Sequence, residues 1–358
     1  MLNKKIYATK SEHCMSRQKL VTLILLLLMV CLPLVAKDAV FSGEYYRISL
    51  SYNDTACPGD AIFIRMKFSD GEKHDDAPVE TAASAHLFLE TKEIISSSFY
   101  VLSRNETRGT ETLLSGLPLS SWWTQGNYRL TVTYSYKGGK QMEFNLPFYI
   151  TSKEFIQETI PLDEANTNIK TDNSAERMRQ IKKLNGVLET IDNSAVYQDT
   201  PFTSPTTCTR RTSHFADRRT FTYTNGGSST SLHFGTDYGQ PTGTPVTACA
   251  AGKVVMAEFR ISTGWSVVIE HLPGLYSLYY HMSSLSVTEG DIVQSGATIG
   301  LSGATGLATG PHLHWEIRLN TCAVNPDFFT TDFAFSGKQP LAPFSRQPAE
   351  EINSPVEK

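Results

Sequence analysis

Between residues 40 and 152 hydrophobic and polar positions alternate with period two, the signature of strands that bury one face. Ile62, Ile64, Met66 and Phe68 alternate with Phe63, Arg65 and Lys67, and Tyr128, Leu130, Val132, Tyr134 and Tyr136 alternate with mostly polar neighbours. Lys137, Gly138, Gly139 and Lys140 supply a turn, after which Met142, Phe144, Leu146, Phe148 and Ile150 form a return strand. Pro58, Gly59 and Asp60, and then Gly126 and Asn127, mark further breaks. Several short strands in about 110 residues predict an immunoglobulin-like β-sandwich. Its histidines, His74 and His86, stand alone and read as ordinary surface or core residues.

The period then changes. Residues 153–201 read as a linker, poor in pattern up to 173, with a helix over 174–192: Met178, Ile181, Leu184, Leu188 and Ile191 fall three or four apart, with Arg177, Lys182 and Lys183 on the other side. Asn173 followed by Glu176 resembles a capping box at its start. The expected role is a connecting helix that packs on a neighbouring domain. From 202 to 330 strand signals return with many glycines, and from 331 to 358 the chain is polar and proline-rich, which predicts a disordered tail. The fold class is therefore mainly β: an N-terminal sandwich, a connecting helix and a C-terminal antiparallel β-sheet domain.

Charge and the first residues change this picture at one end. Residues 1–19 carry Lys4, Lys5, Lys10, Arg17 and Lys19 against Glu12, and residues 20–36 form a largely apolar run that ends in Pro33 and the small Ala36. The pattern reads as a secretory signal peptide, and a run of that length is also at the short limit for an uncleaved membrane anchor. Removing residues 1–36 takes away five positive charges and one negative, which moves the formal net charge from −4 to −8. An acidic remainder argues against a nucleic-acid partner, because such binding needs a basic face. Beyond the leader, Cys57, Cys208, Cys249 and Cys322 lack the CxxC spacing of a structural zinc site. Disulfides in an oxidising compartment and small buried thiols are equally open readings.

Candidate chemistry is confined to residues 202–330. His312 and His314 lie in HLHWEIRL, whose aromatic and branched residues favour a strand. Residues two apart in a strand project to one face about 7 Å apart, so one imidazole can ligate a metal while the other reaches over an open coordination position. His233 and Asp237 flank Phe234, Gly235 and Thr236, and a loop bent at the glycine can bring both side chains to one ion. Two ligands from this loop and one from the distant strand make the three-ligand set of a hydrolytic zinc, which keeps a position for water. His281, after Tyr279 and Tyr280, adds an imidazole at a strand end. Glu316 shares a strand face with His314 and is a candidate partner behind it. His271 reads as a packing residue.

Each element alone is weak, but their order is specific. The segments LHFGTDYGQPTGTPV, LYSLYYHMSSL and GATGLATGPHLHWE resemble the lysostaphin-like, or LytM-type, zinc metallopeptidases of bacterial cell walls. The likeness covers about residues 202–330 and leaves out the sandwich. It implies a lysostaphin-type peptidase domain with His233, Asp237 and His314 as ligands of one Zn2+, and His281 and His312 as catalytic histidines. It also implies peptidoglycan peptides as substrate, in a protein exported to the periplasm or cell envelope, with the N-terminal segment as a candidate membrane tether. Some LytM-type domains are catalytically silent modules that regulate other wall hydrolases. Those usually lack ligands, and all are intact here.

Overall fold

The computed structural model describes residues 36–42, 46–70, 81–105, 109–136, 140–198, 201–330, 350–351 and 356–357. The expected leader up to residue 35, His74, the turn at Lys137, Gly138 and Gly139, and residues 331–349 of the expected tail lie outside them. Among the described residues no helix is long and apolar enough to cross a membrane.

The chain is mainly β. Strands Ala36–Ser42, Tyr46–Asn53, Ala61–Asp70, Thr110–Pro118 and Tyr100–Asn105 lie side by side in one antiparallel sheet. Gln141–Ile150, Gly126–Tyr136, Thr81–Leu89 and Lys92–Ser98 form a second. Ile48, Leu50, Ile62, Ile64 and Met66 of the first sheet share a buried core with Leu87, Leu130, Val132, Phe144 and Leu146 of the second. Alternation places these residues inward, because successive strand side chains point to opposite faces. In the tail, Glu350–Glu351 pairs with Ala36–Ser42 and Val356–Glu357 pairs with Gln141–Ile150. His86 is bonded to Glu93 and Ser84 on its own sheet.

Phe63 departs from the alternating pattern. It points away from the sandwich core and is nevertheless only 1% exposed. Its ring lies 6.3 Å from Phe328 and 6.0 Å from Phe329, so this face of the first sheet is covered by the C-terminal part of the chain. Asn320 Nδ2 donates to Gly116 O at 3.0 Å and Asn325 Nδ2 to Asp60 Oδ1 at 2.9 Å across the same junction.

The segment read as a pattern-poor linker is ordered. Gln157–Pro161 pairs in parallel with Arg218–Thr222, and helix Glu164–Thr171 follows, capped by the Asp163 carboxylate. The helix expected over 174–192 runs Ala175–Glu189, and its cap is Ser174, whose Oγ accepts from Arg177 N–H at 3.2 Å. Asn173 is therefore one residue too early, and Glu176 bonds Gln180 instead of closing a capping box. Leu184 and Leu188 are buried, whereas Met178 and Ile191 are more than half exposed. The stripe that packs is thus shorter than the apolar pattern.

Those two leucines pack on the main C-terminal sheet, whose antiparallel strands follow the order Arg211–Ser213, Thr236–Tyr238, Leu313–Leu319, Leu275–Met282, Gly264–Leu272, Gly252–Arg260, Ile292–Val293. One face carries Val267, Ile269, Tyr279, Leu313, Trp315 and Ile317 into a core with Phe328 and Phe329. The other carries Met256, Val268, Tyr276, Leu278 and Tyr280 against Leu184 and Leu188. By the same alternation His314 and Glu316 belong to this second face, so the helix and the histidine strand share one side of the sheet. Cys57, Cys208, Cys249 and Cys322 are free thiols.

Candidate metal centre

His233, Asp237 and His314 meet at one point. Strand Thr236–Tyr238 lies antiparallel to Leu313–Leu319 with Asp237 directly opposite His314, so the pair is a cross-strand contact rather than a product of loop bending. His233 enters from the turn just before. Gly235 matters there through space and not through a left-handed bend: a Cβ at this position would stand 2.2 Å from Trp315 O, so only glycine lets the turn lie against the strand.

Asp237 Oδ1 is 2.7 Å from His314 Nδ1 and 3.0 Å from His233 Nε2, and the two ring nitrogens are 2.9 Å apart. The second polar atom of each side chain is held outward. His233 Nδ1 donates to His214 O at 2.8 Å, His314 Nε2 donates to Glu316 Oε1 at 3.0 Å, and Arg219 Nη2 donates to Asp237 Oδ2 at 3.0 Å. Each residue therefore presents one remaining donor to the centre. The spacing is near the roughly 3.4 Å between neighbouring ligands that tetrahedral zinc bonds of about 2.0–2.2 Å require. Two imidazoles and one carboxylate are also an ordinary zinc donor set, so these residues fit the metal.

The electrostatics fit as well. Burial alone would raise the Asp237 pKa, but the two histidines hold it well below the usual carboxylate range. Burial would lower the His314 pKa, yet Asp237 and Glu316 outweigh it and raise it to about 9. A field that favours a proton on this imidazole also favours a cation between the donors. Glu316 is held down to about 2 despite burial, first by Arg318 and then by His314.

His281 and His312 stand beside the three. Their rings are 4.6 Å apart, and His312 Nε2 is 3.8 Å from Asp237 Oδ1. His281 Nδ1 donates to Thr305 O and His312 Nδ1 to Gly310 O, each at 2.8 Å, so that neither Nε2 is the atom bonded to these carbonyls. Burial first, and then the neighbouring histidines His312 and His314, pushes the His281 pKa down to about 3, so this imidazole is neutral at physiological pH. Its backbone is unusual. His281 has φ of +62°, a left-handed conformation that non-glycine residues seldom adopt outside sites where the surroundings enforce it.

Peptidase family M23 matches residues 231–326, the stretch that contains all five residues. Residues 231–326 are a peptidase M23 domain. Over 95 residues the chain is 46% identical to the DD-carboxypeptidase/endopeptidase Mpg of Neisseria meningitidis serogroup B, covering 26% of this chain and 22% of that protein. Over 93 residues it is 44% identical to the peptidoglycan DD-endopeptidase ShyA of Vibrio cholerae, with the same two coverages. The match thus spans about a fifth of the length of these relatives. Among solved structures, the catalytic domain of the prophage-encoded M23 protein EnpA from Enterococcus faecalis aligns with 34% identity and a TM-score of 0.30, over 35% of this chain and 95% of that one.

Sequence reasoning overlooked two contributors to the M23 site. Arg219 fixes Asp237 and bonds Glu158 through Nε at 2.8 Å, and Tyr280 stacks on His314 at 5.4 Å with rings 3° from parallel. Both are brought in from strands remote in sequence, and only the position of Tyr280 before His281 signalled anything.

Proposed function

We propose that the protein is an exported zinc endopeptidase that hydrolyses cross-links or stem peptides of peptidoglycan. The observation that carries this reading is the paired arrangement of the centre: three inward donors, His233 Nε2, Asp237 Oδ1 and His314 Nδ1, with the imidazoles of His281 and His312 beside them. The names of the relatives Mpg and ShyA support the substrate class. A structural zinc is closed by four protein ligands, and a silent regulatory module has no use for two further imidazoles at the metal, so the arrangement favours an enzyme.

Zinc, when bound, supplies Lewis acidity toward a water and a peptide carbonyl. The chain supplies the rest. His281 is neutral at physiological pH, and its Nδ1–H to Thr305 fixes the tautomer and the ring plane, which leaves Nε2 as a hydrogen-bond acceptor for the water. His312 stands beside His281, its Nε2 3.8 Å from Asp237 Oδ1, and once protonated there it can donate to a developing oxyanion or to the leaving amine. Arg219 keeps Asp237 to one inward oxygen, and Glu316 orients His314. No nucleophilic side chain takes part, so the reaction proceeds without a covalent enzyme intermediate. The test is purified protein on isolated sacculi, with and without chelator, and mass analysis of the products. New amino termini from peptide cleavage, abolished by chelator and in His312→Ala, are expected. Release of glycan fragments alone would contradict the reading.

A further inference from the structure

Three arginines lie near the metal centre, and the two that are part-buried, Arg219 and Arg318, have carboxylates. Arg219 bonds Glu158 and Asp237, and Arg318 bonds Glu316 at 2.7 Å. Arg260 is different. It is 6% exposed, its Nη1 donates to Thr263 Oγ1 at 3.2 Å, and its buried Nε makes no hydrogen bond. Among the described residues no carboxylate lies within ion-pair distance of it. A buried cation without a counter-ion is unfavourable, and a natural chain retains one where something else requires it.

Its place in the sheet says what that is. Arg260 ends the strand Gly252–Arg260 opposite Gly264, in step with Met256 opposite Val268 and Glu258 opposite Ser266, and so lies on the face that carries His314. The guanidinium carbon is 5.9 Å from the centre of the Tyr280 ring, and that ring is stacked on His314 at 5.4 Å. Arg260, Tyr280 and His314 therefore form a row across the strands, leading away from the metal ligands. The turn after Arg260 also touches the catalytic region, since Thr263 O accepts from His281 N–H at 2.8 Å. Helix Ala175–Glu189 is held by the neighbours of Arg260 instead: Ile261 N–H donates to Gln180 Oε1, and Ser262 Oγ accepts from Arg177. Anchoring the helix is thus not the job of the guanidinium.

We propose that Arg260 is a carboxylate-binding residue of the substrate groove, which makes the site selective for acidic peptides. The proposal rests on the endopeptidase reading for the identity of the substrate. An extended peptide advances about 3.3 Å per residue, so the row from His314 to Arg260 places the carboxylate roughly three to four residues from the bond held at the centre. Arginine suits this role because its planar fork can meet a carboxylate with two parallel hydrogen bonds.

The test uses cross-linked muropeptides released from sacculi, with carboxyl groups left free or converted to carboxamides. Binding to the zinc-loaded protein is measured by calorimetry, and hydrolysis is measured in parallel. The wild type is expected to bind the free form about 10- to 100-fold more tightly than the amidated form. Arg260→Gln should lose that ratio, Arg260→Lys should keep part of it, and KM should rise more than kcat falls. Thermal melting checks that both variants fold, and the lysine variant carries the test should the glutamine one fail to. An unchanged ratio in a folded variant, or a wild type that binds both forms equally or binds neither, overturns the proposal. Failure of the endopeptidase reading looks different: the binding ratio is then read as before, but no peptide bond is cut.

Discussion

Replacing Glu316 by glutamine isolates the support behind one candidate ligand. The substitution keeps the shape of the side chain and removes its charge, which lies 3.0 Å from His314 Nε2 and is 4% exposed. A buried hydrogen bond to a charged group is worth about 1.5–3 kcal/mol, and partners behind metal ligands typically contribute 10- to 100-fold to affinity, two ranges that agree. Glutamine Oε1 can still accept from Nε2–H, so the lower end, about tenfold, is expected for zinc affinity. Arg318 loses its carboxylate at the same time, and the fold should lose stability in addition. Competition with a chromophoric chelator measures the zinc dissociation constant, and circular dichroism before and after loading checks the fold. A Glu316→Gln protein that stays folded and binds zinc within a factor of two of the wild type would refute the argument that Glu316 tunes the centre through His314.

Other substitutions test other links. Leu188→Ala, at 4% exposure in the seam between the helix and the sheet, should cost about 2–4 kcal/mol in chemical denaturation. Gly235→Ala should push the turn off Trp315 O and weaken zinc binding more than it lowers the melting temperature, as titration beside calorimetry would report. His271, far from the centre and fully buried, has its pKa lowered by burial to about 4. A folded pKa below the unfolded one means stability is complete above pH 6.5 and is lost as pH falls toward 4, by about 3 kcal/mol in all. Urea midpoints of His271→Gln should therefore fall less steeply between pH 7 and pH 5 than those of the wild type.

Much of this was legible in the sequence because periodicity encodes which face of a strand is buried. Ile62, Ile64 and Met66 follow it, and so do His314 and Glu316. Phe63 does not, since the surface that buries it comes from Phe328 and Phe329, far along the chain. The same reason hides Arg219 and Arg260: a cation is read as a solvated residue unless the strand that carries it is known to border a site. The spacing of His233 and Asp237 suggested a loop that wraps an ion, whereas cross-strand register opposite His314 is what aligns the carboxylate. Helix boundaries suffered from competing caps, with Asn173 and Ser174 adjacent and the latter chosen.

The most direct test of the account is an anomalous-scattering crystal structure of the zinc-loaded protein. It should show one zinc ion bound by His233 Nε2, Asp237 Oδ1 and His314 Nδ1 at about 2.0–2.2 Å, with the remaining position open toward His281 and His312. Zinc bound elsewhere, or a fourth protein ligand closing this site, would contradict it.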